Sequence, residues 1–198
     1  WEGFEYYQDY LGSHMEVMDV ETGHRKILFS GAHSFQAPNW TPDGGHLIYN
    51  SNGFLYDYNL ETRKTAMFNT GFANRNNNDH VLTFDGKWMG ISHHNPDDGG
   101  ASSLYYLPVE GSDEPIKVTK SGVGASYFHG WTLDGNAMLF TGNRKGKYDI
   151  YSVAVEDGTE VQLTDTDGLD DGPEMPPDGK YIYFNSNRTN LADEAGWQ

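Results

Sequence analysis

Three short stretches of this sequence concentrate groups that can hold a proton, a cation or a sugar hydroxyl. They are Asn78-Asp79-His80, Tyr127-Phe128-His129 and Asp170-Asp171-Gly172-Pro173-Glu174. Imidazole nitrogen suits borderline metals, and carboxylate oxygen suits hard ones. His80, His129 and Asp171 would therefore suit a divalent cation such as Ca or Mn if the fold brought them to one point. The same carboxylates, with Tyr127, Phe128 or Trp131 as a platform, would suit a hydroxyl-rich ligand. A structural reading stands beside these. The polar residues would then hydrogen-bond neighbouring elements and fix their angle, as buried polar groups usually do. Each reading requires a frame that converges residues distant in the chain.

A repeat supplies that frame. Asp43-Gly44, Asp85-Gly86, Asp134-Gly135 and Asp178-Gly179 stand 42, 49 and 44 residues apart. After each comes an apolar strand: "HLIYNSN", "KWMGISHH", "NAMLFTGNR" and "KYIYFNSNR". An alternating strand and a fourth short strand follow the first three. Period-two alternation with Gly, Asp, Asn and Pro punctuation predicts strands. Four-stranded units of about 40–45 residues predict propeller blades. The four Asp residues are expected to be turn residues, because Asp-Gly suits a tight turn in which Gly takes positive φ.

Aligned on these turns, His80 and His129 both stand five positions before the Asp, with Pro38 and Pro173 in the other copies. Asp79 and Phe128 stand six before; Asn78, Tyr127 and Asp171 seven before; Ser126 and Asp170 eight before. The first strand of a propeller blade lines the central channel. The expected binding set at the channel mouth is thus Asn78, Asp79, His80, Tyr127, His129, Asp170, Asp171 and Glu174.

The motifs "WTPDGGHLIYNSN", "LTFDGKWMGISHH", "WTLDGNAMLFTGNR" and "MPPDGKYIYFNSNR" resemble the TolB-like, PD40-type β-propellers, a WD40-like repeat family. The resemblance covers about residues 15–190. With "NNNDHVLTFDG" and "SYFHGWTLDG" it resembles a soluble bacterial branch of six blades. It implies an all-β propeller of four-stranded antiparallel blades, about four of them present here. The expected division is an N-terminal extension or tag scar at 1–14, where "GSHM" occurs at 12–15, and then the propeller, 15–198. Within it, a half-blade at 15–32 precedes blades at about 33–73, 74–122 and 123–168 and a second half-blade at 169–198. Either the chain is a shortened form of a larger propeller, or its two half-blades pair and close a ring of four. An open ring could also close on a second copy.

Composition narrows the function. The net charge of −16, from 29 acidic and 13 basic residues, opposes phosphate backbones, so nucleic acid is not an expected partner. The absence of Cys excludes disulfides and thiolate metal sites. No apolar run reaches the length of a membrane span. Neither a Gly-x-Ser-x-Gly elbow nor a phosphate-cradling Gly loop occurs. "DTDGLDD" at 165–171 lacks the Glu of a calcium loop, and "HHNPDDGG" at 93–100 reads as a loop. The resemblance to TolB implies a non-enzymatic binding or scaffold module, with a protein or peptide at the channel mouth, in a bacterial envelope, periplasmic or secreted. A metal-dependent carbohydrate-active propeller, similar to the oligogalacturonate lyases with His80 or His129 as base, is the alternative.

Overall fold

The computed structural model describes residues 11–188. Most of the expected extension, and the end of the last half-blade at 189–198, lie outside the described residues. Strands β1 (Ser13–Met18) and β2 (Arg25–Gly31) form an antiparallel pair. Three four-stranded antiparallel sheets follow, each in the strand order of the sequence. The first holds β3 (Gln36–Trp40), β4 (His46–Ser51), β5 (Phe54–Asn59) and β6 (Lys64–Met67). The second holds β7 (Asn76–Leu82), β8 (Trp88–His94), β9 (Ser102–Pro108) and β10 (Ile116–Lys117). The third holds β11 (Ser126–Trp131), β12 (Ala137–Arg144), β13 (Lys147–Ala154) and β14 (Glu160–Gln162). A last antiparallel pair is β15 (Asp170–Glu174) and β16 (Tyr183–Ser186).

These are propeller blades, with β3 beside β7, β7 beside β11 and β11 beside β15. The two-stranded pairs remain separate sheets, so strand pairing between half-blades does not close a ring among the described residues. β1 begins inside "GSHM", and Met15 is buried against Leu47, Tyr49 and Tyr58.

Each turn is built by its Asp as expected. Asp43 Oδ1 accepts from the Thr41 hydroxyl at 2.6 Å and from the Gly45 N–H at 3.0 Å. Thr83 and Thr132 repeat the contact on Asp85 and Asp134, both at 2.7 Å. Gly44, Gly86, Gly135 and Gly179 have φ between 64° and 71°, where a Cβ would be strained. The Thr two positions before each of the first three Asp residues is part of the device.

Cores form between sheets. Ile48 and Leu55 pack on Met89, Ile91 and Leu107 of the next blade, and Leu104 on Phe128, Met138 and Phe140 of the one after. Each such side chain contributes roughly 1.5–3 kcal/mol on burial. Arginines at the ends of second strands tie down the first strands. Arg144 donates to Ser126 Oγ at 3.0 Å and to both oxygens of Glu160, and Arg188 donates to Asp170 at 2.6 Å.

Candidate functional site

All four first strands break register with their partners at the same level. In β3 and β15 one extra residue is accommodated between Gln36 and Asn39 and between Asp171 and Glu174. In β7 the break is larger: Asn76 pairs with His93 and His80 with Ile91, so Asn77, Asn78 and Asp79 together face Ser92. In β11 Phe128 pairs with Phe140 and Gly130 with Leu139, which leaves His129 as the extra residue. A β-bulge re-aims side chains out of the pleat, and here it turns them toward the channel.

Asn77, Asn78, Asp79, Tyr127, His129, Thr141, Tyr148, Leu169 and Asp171 line a cleft of about 440 Å³. His129 Nε2 lies 3.4 Å from Asp171 Oδ1. The same oxygen accepts from the Thr141 hydroxyl at 2.7 Å and from the Gly172 N–H at 2.9 Å. The His129 contact leads in holding the Asp171 carboxyl down to about 2, with Thr141 and Gly172 adding to it. Burial by itself would lower the His129 pKa. The bond to Asp171 and the charges of Asp79, Asp171 and Glu174 outweigh it, so the pKa is raised. Burial raises the Asp79 pKa, and the charge of His129 and the Asn77 amide offset this only in part. Asn77 Nδ2 donates to Asp79 Oδ2 at 2.6 Å, and the Asp79 N–H donates to Asn77 Oδ1 at 3.0 Å. The cleft thus holds one imidazole between two carboxylates, with two tyrosine rings on its wall.

Of the expected set, Asn78, Asp79, Tyr127, His129 and Asp171 meet in this cleft; His80, Asp170 and Glu174 do not line it. His80 is 1% exposed, with Nδ1 2.9 Å from the Asn78 carbonyl and Nε2 3.1 Å from the Ile48 carbonyl of the preceding blade. A neutral ring can donate to only one of these, and neither nitrogen offers a lone pair to the channel. Asp170 is fully buried. Burial pushes its pKa up, but Arg188 and Ser186 outweigh that and hold it ionised within the last strand pair. Alternation explains the separation of Asp170 from Asp171, since neighbours in a strand point to opposite faces. Glu174 is exposed and acts on His129 only through its charge.

The expected metal set of His80, His129 and Asp171 is therefore not assembled. Among the described residues, no three His or carboxylate side chains group closely enough to hold a metal ion. The carboxylates of 165–171 also diverge: Asp165 pairs with Lys147 at 2.7 Å, Asp170 with Arg188, and Asp171 faces the cleft. Sequence reasoning did not single out Asn77, Thr141 and Tyr148. Thr141 and Tyr148 come from β12 and β13, so alignment of first strands could not reveal them.

No protein-family model matches the chain. It is 39% identical over 180 residues to an uncharacterized protein of Agrobacterium fabrum, covering 90% of this chain and 60% of that protein. A solved structure from Agrobacterium tumefaciens, assigned as a TolB, superposes with a TM-score of 0.82 at 39% identity, over 88% of this chain and 62% of that one. TolB of Acinetobacter baumannii superposes with a TM-score of 0.73 at 20% identity, over 92% of this chain and 45% of that one, a likeness of fold alone. The chain spans about three fifths of the length of the two Agrobacterium relatives. By repeat, strand order and these likenesses, the chain is a TolB-like β-propeller.

Proposed function

We propose that this propeller is a non-enzymatic binding module that takes a protein or peptide segment at the channel mouth. The cleft around His129 carries the reading. Its two carboxylates exceed its one imidazole, and Tyr127 and Tyr148 offer apolar rings with polar tips, the side chain favoured where segments dock. A segment bearing a Lys or Arg side chain would complete the charge balance.

The test is fluorescence anisotropy with labelled basic, neutral and acidic peptides of equal length. The basic peptides should bind, and Tyr148→Ala and Asp79→Asn should each weaken them roughly tenfold. Failure of every peptide, or binding indifferent to both substitutions, overturns the reading.

The alternative of a metal-dependent carbohydrate-active propeller would have to use His129 as its base, because His80 is sealed between blades. Self-association has an observation of its own: each two-stranded sheet leaves strand edges unpaired among the described residues. Such edges accept strands from a second copy. Sedimentation equilibrium should show a concentration-dependent mass, and a constant monomer mass would end that proposal.

A further inference from the structure

A second cavity, of about 560 Å³, lies against β8, β9 and the loop that joins them, and shares no lining residue with the cleft around His129. That loop holds a short 3-10 turn, Pro96–Asp98, capped by Asn95. Two buried side chains on the cavity wall have hydrogen-bonding directions fixed by their neighbours.

His93 is 2% exposed, and its Nδ1 accepts the Arg75 N–H at 3.3 Å. The neutral ring therefore carries its proton on Nε2, which has no hydrogen-bond partner among the described residues. Tyr105 is 3% exposed, and its hydroxyl oxygen accepts from Asn95 Nδ2 at 3.0 Å. The Asn95 amide cannot be reversed. Its oxygen accepts the Asp97 N–H at 3.0 Å, and its nitrogen also donates to Asp98 Oδ2 at 3.2 Å. The Tyr105 O–H is thus left as a donor with no acceptor among the described residues. Both donors belong to side chains of the cavity wall, where a ligand that accepts from the two of them would take the place of water.

The rest of the wall says which ligand. Phe72 is 53% exposed, and its ring meets His93 at 6.2 Å and Tyr105 at 5.7 Å between centroids. The Asp97 carboxylate lines the cavity and accepts no hydrogen bond from the described residues. Lys117 Nζ is held by Asp98 at 2.5 Å and Ser121 at 2.8 Å, so its charge is already balanced. An anion would meet the free Asp97 charge, and an apolar ligand would leave both donors unpaired. A ligand that accepts from His93 and Tyr105, donates to Asp97 and covers a ring with C–H surface satisfies every group. We propose that this cavity is a carbohydrate-binding site for a single pyranose unit, with no catalytic part. Its volume falls in the range of small-ligand sites, roughly 300–1,000 Å³.

The test uses the full chain labelled with 15N-histidine, titrated separately with glucose, galactose, mannose and N-acetylglucosamine. The His93 ring signals are assigned by their absence in His93→Gln. At least one sugar should shift the His93 Nε2 resonance while leaving His129 unmoved. Phe72→Ala removes an exposed ring, and Tyr105→Phe removes the hydroxyl donor together with the acceptor for Asn95 Nδ2; each should weaken that sugar roughly tenfold. No shift at His93 with any of the four sugars, or a shift that persists undiminished in either variant, overturns the proposal.

Discussion

His80 and His129 occupy the same position of the repeat in neighbouring blades, yet one is sealed in a blade interface and the other faces the channel. The residue before each makes the difference. Before His129 stands Phe128, which takes the interior place opposite Phe140 and is fully buried. Gly90 of the preceding blade makes room for it: a Cβ there would come within 2.4 Å of the ring. His129 is then displaced as the bulged residue. Before His80 stands Asp79, whose carboxylate would be costly in that interior place. There the bulge absorbs Asp79, and His80 goes inside to pair opposite Ile91. A repeat fixes which residues are equivalent along the chain, but local competition for the core decides which of them a ligand can reach.

The largest effect should come from removing the residue that wins that competition. Phe128→Ala should cost about 3–5 kcal/mol in denaturant unfolding. Gly90→Ala, which presses on the same ring, should cost about 1–3 kcal/mol. Peptide binding at the cleft should change in both, because His129 loses the packing that extrudes it. A Gly90→Ala variant with full stability and unchanged binding would break the account.

The two histidines should next separate stability from binding. His80→Ala leaves the carbonyls of Ile48 and Asn78 without their ring and should cost about 1–3 kcal/mol. His129→Ala should change stability by less than about 1 kcal/mol while strengthening the binding of basic peptides, because it removes the one group that competes for the Asp79 and Asp171 charges. Equal destabilisation by both substitutions would erase the distinction.

Their titrations should also move in opposite directions. The His129 pKa is raised above its ordinary 6.5, and burial lowers that of His80 despite its two carbonyl contacts. The His129 contribution to stability is therefore fully present below about 6.5 and is lost as the pH rises through its higher folded value. Asp171 has the opposite linkage. Its carboxyl is held down to about 2, so its contribution is present above the usual carboxylate pKa and is lost as the pH falls toward 2. NMR titration of the histidine rings checks both, and Asp171→Asn should bring the His129 midpoint down. A His80 midpoint above that of His129 would reverse the assignment.

The smallest expected effect is none. Thermal unfolding in EDTA should match that in Ca or Mn, because the ligand set is split between interface and channel. A rise of several degrees with one ion, abolished by His129→Ala, would bring the two histidines back together.

Much of this protein is legible in its sequence because blade architecture depends on local chemistry. Asp-Gly turns need only their own Thr, Asp and Gly, and period-two alternation needs only a pleat, so the repeat marks strands and turns directly. Asp170 and Asp171 are adjacent residues whose separation also follows from alternation, although which of them faces the channel does not. The cleft was harder to read. Its Thr141 and Tyr148 arrive from β12 and β13, and His129 depends on a bulge set by a glycine in another blade. The cavity beside His93 depends on a backbone N–H from Arg75 and an amide held in one orientation by its own turn. By itself the sequence determined the strands, the turns and the kind of propeller they build. Only the tertiary structure decided which polar side chains were left without partners, because that depends on packing and hydrogen bonds between residues far apart in the chain.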